Sequence, residues 1–103
     1  MLKEGTKAPA FTLPDPSGRM VSLSDFAGKT VVLYFYSKDG TAGCTRQAQA
    51  FRDAYGEYLK KDVVVVGISK DDISAHKRFI EKNSLPFILL ADPAHKALAS
   101  YEV

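Results

Sequence analysis

Apolar residues follow two patterns along this chain, unbroken runs and a repeat of three to four. Val31 to Tyr36 and Val63 to Ser69 are continuous runs, the signature of strands covered on both faces in a parallel sheet. The first of them is expected to be central. Between the runs, Ala48, Phe51, Tyr55, Tyr58 and Leu59 continue a stripe that begins at Cys44, which predicts an amphipathic helix ending near Lys60. That connection is long enough for a right-handed parallel crossover. Thr41 is placed to act as the N-cap, its side-chain oxygen near the amide of Cys44.

The flanks are read in the same way. Residues 11 to 23 predict a hairpin, with Phe11-Thr12-Leu13 and Met20-Val21-Ser22-Leu23 around the turn formers Pro14-Asp15-Pro16-Ser17-Gly18. Ser24 to Gly28 makes a short helical turn or loop. Asp71 or Asp72 caps a second helix running to about Asn83, with Ile73, Phe79 and Ile80 inward. Leu85 to Leu90 predicts a further strand, beginning at Pro86 or lying at an edge. Asp92-Pro93 reads as an N-cap with proline at the first helical position, opening a last helix with Ala97, Leu98 and Tyr101 inward. The expected architecture is α/β, one domain over residues 1–103: an N-terminal β-hairpin and central parallel strands flanked by helices.

Composition narrows the function classes. The chain has 103 residues, a formal charge of +2 and basic residues scattered among acidic ones. Nucleic-acid binding gains no support from that distribution. No window approaches the roughly 18 consecutive apolar residues of a membrane span, and the N-terminus lacks the apolar core of a secretory signal. A soluble chain in the cytoplasm is the default expectation. The basic pair Lys60-Lys61 falls where cations complement a helix C-terminus.

Cys44 is the only cysteine. A lone thiol inside a cell is either buried and inert or functional. Its position, after an apolar strand and at the start of a helix, favours function, because unpaired amides there stabilise thiolate over thiol. His76 and His95 are each followed by a lysine and are expected to face solvent. No Cys/His cluster has metal-ligand spacing, and no cofactor or metal is expected. Gly40 and Gly43 do not make a phosphate loop. Tyr34 and Tyr36 are read chiefly as packing residues.

Strand, Thr-x-x-Cys loop, helix, strand and helix in that order resemble the thioredoxin-like fold. Ordered blocks along the whole chain resemble the peroxiredoxin family, in its Q-type or bacterioferritin comigratory protein branch. They are Gly5 to Pro9, Phe11 to Asp15, Val21 to Phe26, VVLYFY, Lys38 to Thr45, Phe51-Arg52-Asp53, Val66 to Ser69, Leu85-Pro86-Phe87 and Ala91-Asp92-Pro93. The resemblance implies a thiol peroxidase acting on hydrogen peroxide and organic hydroperoxides, an antioxidant role in redox homeostasis. Cys44 would be the peroxidatic residue, Thr41 would hydrogen-bond the peroxide or thiolate, and the amides of Gly43 and Cys44 would supply donors.

Three departures from the family pattern qualify this expectation. Ser37 and Ala42 stand where the branch has or often has proline, which leaves the loop more entropy to lose. Gln49 occupies the position of the resolving cysteine found in many members. The resemblance then implies a one-cysteine enzyme reduced by an external thiol such as thioredoxin or glutaredoxin. Finally, the family fold continues with two strands, a helix and an active-site arginine that these 103 residues do not include. Arg46 and Arg52 are not promoted to that role, and Lys38 stands only as a disfavoured candidate for a local cation.

An incomplete sheet leaves an edge to cover. The chain is then a fragment, its remainder is left out, or a homodimer or domain-swapped oligomer completes the edge; the first two together are preferred. The alternatives to a peroxidase are a disulfide oxidoreductase, disfavoured by Thr41 in place of the first thiol of Cys-x-x-Cys, and a truncated non-catalytic domain acting only by association.

Overall fold

The structure is a computed structural model that describes residues 8–36 and 38–101. Its frame is a parallel sheet of three strands, β3 (Thr30–Phe35), β4 (Val63–Ser69) and β5 (Ile88–Ala91), in the order β3-β4-β5. A separate antiparallel hairpin, β1 (Thr12–Pro14) and β2 (Met20–Ser22), precedes it, with Leu13 opposite Val21. A 3-10 turn at Leu23–Phe26 follows the hairpin. The long helix α1 (Ala42–Lys60) crosses from β3 to β4, and α2 (Ile73–Asn83) crosses from β4 to β5. A short helix, α3 (Lys96–Ser100), comes last.

Alternation along the strands sorts side chains onto two faces. On one face Tyr34, Tyr36, Val65 and Leu89 pack with Ala48 of α1 and Phe79 of α2, joined by Leu85 and Phe87. On the other, Val66, Ile68 and Leu90 meet Phe11, Leu13 and Val21 of the hairpin region and Ala97 of α3. Both faces of β4 are therefore covered, and its residues 65–69 are fully buried or nearly so. Gly67 lies beside Tyr34 in the β3-β4 register. A Cβ at Gly67 would sit 2.7 Å from Tyr34 Cζ and 2.8 Å from Leu89 Cδ2. The missing side chain is what lets the tyrosine ring cross the strand.

Several expectations change. β4, not the first apolar run, is the middle strand, and β3 forms an edge among the described residues. Its pattern of partial burial fits that place. Helix α1 starts at Ala42, as an N-cap at Thr41 requires, but Leu59 is 58% exposed rather than inward. Of the two aspartates expected to cap α2, Asp72 takes the position, accepting from the Ala75 amide at 2.8 Å. The last helix opens at Lys96 with left-handed His95 as its N-cap residue, not at Pro93. Asp92 still serves that helix: its buried carboxylate accepts from the amides of Lys96 and Leu98 at 2.8 and 2.9 Å. Pro86 precedes β5, which begins at Ile88 and, as the second expected alternative has it, lies at an edge among the described residues.

Candidate active site

β3 delivers the chain to a loop that turns into the N-terminus of α1. Gly40 has φ +83°, a conformation that glycine adopts without a Cβ clash, and the turn depends on it. The backbone is helical from Ala42, and the first intrahelical bond runs from the Thr45 amide to the Thr41 carbonyl at 2.8 Å. The amides of Ala42, Gly43 and Cys44 precede that bond and have no acceptor within the helix. Cys44 thus lies in the first turn, among donors directed outward from the helix end. It is partly buried and packs against the aromatic core around Tyr34 and Tyr36.

Thr41 takes the N-cap position with extended backbone, as expected, but its hydroxyl does not cap the helix. The Thr41 Oγ1 hydroxyl instead donates to the Lys38 carbonyl at 3.0 Å, drawing the loop into a tight turn. Its oxygen lone pairs remain able to accept a proton donor. Ser37, where the family has proline, lies outside the described residues. Gln49, at the resolving-cysteine position, is engaged elsewhere: its Nε2 donates to Asn83 Oδ1 at 3.1 Å. Arg52 likewise turns to α2, donating to the Asn83 carbonyl at 3.0 Å while pairing with Asp53. Arg46 and Lys38 are exposed.

The structure overturns the expectation for His76. This residue is fully buried, not solvent-facing, and its Nδ1 lies 2.6 Å from Asp39 Oδ2. Its Nε2 lies 2.9 Å from the Leu90 carbonyl oxygen. Asp39 Oδ1 accepts from the Tyr36 hydroxyl at 2.6 Å, and the Asp39 amide donates to Asp71 Oδ2 at 2.8 Å. Asp71 Oδ2 also accepts from the buried Ser69 hydroxyl at 2.7 Å. Burial, followed by the hydrogen bond and charge of Asp39, pushes the Tyr36 phenol far above its usual range, so it stays a donor. His95 is exposed, as expected.

A signal for His76 was present in its spacing. Position 76 shares a helix face with Phe79 and Asn83, both buried, whereas its neighbour Lys77 belongs to another face. Asp39, Asp71 and His76 also bring ligand-type atoms within 4.8 Å of one another, a grouping that no local motif announces. Both His76 nitrogens and Asp71 Oδ2 already hold protein hydrogen-bond partners, so the group reads as a proton-sharing network rather than a cage for a cation.

Tyr34 completes the surroundings. It stacks on Phe51 at a centroid separation of 4.7 Å and on Tyr36 at 5.5 Å. Its buried hydroxyl has no hydrogen-bond partner among the described residues. Burial is the main reason its phenol is pushed well above the usual range, with Asp39 and Cys44 adding repulsion.

Comparison with known proteins supplies independent findings. The sequence profile of the AhpC/TSA family matches residues 5–103. A Coxiella burnetii protein carrying the name peroxiredoxin bcp is 50% identical over 102 residues, covering 99% of this chain and 68% of that protein. The chloroplastic peroxiredoxin Q of Suaeda salsa is 51% identical over 102 residues, but the chain spans only 48% of its length. Among solved structures, peroxidoxin BcpB from Mycobacterium tuberculosis superposes with a TM-score of 0.96 at 34% identity, over all of this chain and 68% of that one. The fold is thioredoxin-like, as the resemblance implied. With nearly its full length matched in sequence and in backbone, the chain belongs to the AhpC/TSA family.

Proposed function

We propose that this chain is the thiol-bearing part of a peroxidase in which Cys44 attacks hydrogen peroxide or an organic hydroperoxide. The observation that carries the reading is the place of Cys44 in the first turn of α1, half-buried against the aromatic core. First-turn amides, which have no acceptor within the helix, favour the thiolate and face a position where negative charge grows. The thiolate sulfur attacks the nearer peroxide oxygen, an S–O bond forms as the O–O bond breaks, and the leaving oxygen takes a proton to become water or alcohol. Sulfur is oxidised to sulfenic acid and the peroxide is reduced.

The amides of Gly43 and Cys44 are the proposed donors to the reacting oxygens. Thr41 Oγ1 is proposed to accept a hydrogen bond from the peroxide O–H, since its own hydroxyl proton is directed to the Lys38 carbonyl. With Gln49 at the resolving position, turnover needs two equivalents of an external thiol, of the thioredoxin or glutaredoxin kind. The first forms a mixed disulfide with release of water, and the second frees Cys44. A cytoplasmic setting suits this chemistry, because it keeps thiols reduced; among the described residues no helix is long and apolar enough to cross a membrane.

The test is chemical trapping. Peroxide followed by a cyclic 1,3-dione is expected to add one trap at Cys44, seen by peptide mass spectrometry, and Cys44→Ser is expected to abolish it. Absence of adduct on the wild-type chain, with peroxide left unconsumed, contradicts the proposal.

A further inference from the structure

We infer that His76 is a positioning residue for Cys44, acting through a proton-bridged contact with Asp39 on the loop that feeds α1; the inference rests on the peroxidase reading. A carbonyl oxygen only accepts, so the 2.9 Å contact with Leu90 places a proton on His76 Nε2. The 2.6 Å contact between Nδ1 and Asp39 Oδ2 needs a second proton between the two atoms, because two lone pairs would repel at that distance. The buried imidazole is thus fixed at both ends, one on β5 and one on the loop.

Asp39 distributes that anchorage. Its other carboxylate oxygen accepts from Tyr36 at the end of β3, and its amide donates to Asp71 between β4 and α2. Gly40 and Thr41 follow directly, and the helix begins at Ala42. Three residues thereby hold one loop position five residues before the sulfur. Peroxide attack needs the sulfur and the helix-end amides in register with the reacting oxygens, and displacement by about 1 Å is enough to cost on the order of 100-fold. Alkylation by iodoacetamide needs only an accessible thiolate.

Those two reagents separate positioning from general stability. Second-order rates for hydrogen peroxide and for iodoacetamide are measured on wild type, His76→Phe, Asp39→Ala and Asp39→Asn, with folding verified by circular dichroism. His76→Phe and Asp39→Ala are expected to lose at least about 10-fold more in the peroxide rate than in the alkylation rate. Asp39→Asn, whose amide can donate to neutral His76 Nδ1 while its oxygen accepts from Tyr36, is expected to stay within about threefold of wild type. Should His76→Phe fail to fold, the Asp39 pair decides.

Equal losses with both reagents, no loss in either, or an Asp39→Asn variant as slow as Asp39→Ala overturns the inference alone. A wild-type peroxide rate no greater than that of free cysteine overturns the peroxidase reading, and this inference with it.

Discussion

Replacing Gly67 with alanine tests the packing that supports the site-bearing strand. The added methyl would lie 2.7 and 2.8 Å from Cζ and the hydroxyl oxygen of Tyr34 and 2.8 Å from Leu89 Cδ2. All three are closer than carbon tolerates, and Leu89 is wholly buried, so neither neighbour can yield freely. Overpacking of this kind costs about 3 kcal/mol at the upper end of its usual range. Alanine recovers about 0.4–1 kcal/mol by restricting the unfolded chain. The steric cost wins, leaving a net loss of about 2 kcal/mol and a Tm lowered by roughly 8–16 °C for a chain of this size. Urea and thermal unfolding followed by circular dichroism measure both. In a Tyr34→Leu background two of the three contacts vanish, and the added cost of Gly67→Ala should fall by more than about 1 kcal/mol. An unchanged or raised Tm for Gly67→Ala, or strict additivity in the double variant, refutes the close approach of Tyr34 to β4.

Other expectations follow from single contacts. Tyr34→Phe removes a buried hydroxyl that has no described partner and should stabilise by about 1 kcal/mol in urea unfolding; a loss of similar size would mean the hydroxyl is satisfied. Asp72→Ala removes the bond to the Ala75 amide and should cost about 1 kcal/mol, with hydrogen exchange rising at the start of α2. Asp15 loses some hydration on burial, which raises its pKa, but bonds from Ser17 and Arg19 outweigh that and set it below its ordinary 3.8. Its contribution is therefore complete above that value and lost as pH falls through the lower folded pKa, so NMR should show the turn between β1 and β2 loosening only in strong acid, and not in Asp15→Asn.

Local chemistry made most of the frame legible in the sequence. The continuous run Val63 to Ser69 became β4 without change of bounds, because a strand covered on both faces needs apolar residues at every position. The hairpin was announced by its turn formers, and the helix after Thr41 by its stripe. The rank of the strands was not legible: VVLYFY carries the composition of a central strand, yet only the sheet order shows it at an edge among the described residues. The loop anchor was hidden for a related reason. Asp39 and His76 stand 37 residues apart and meet only because α2 packs beside the end of β3. Cys44 and Thr41 could be proposed from sequence, but the direction of the Thr41 hydroxyl depends on the turn at Gly40.

The central claim is that the first turn of α1 makes Cys44 a peroxide-reactive thiolate. Full ionisation alone could raise the rate over a free thiol of pKa about 8.5 by only about 30-fold at pH 7, and donors to the reacting oxygens should add about 100-fold more. Stopped-flow measurement of Cys44 oxidation by hydrogen peroxide at pH 7 should therefore give a rate constant about 3 × 10³-fold above that of free cysteine. A value within about threefold of free cysteine, on folded protein, would contradict the account.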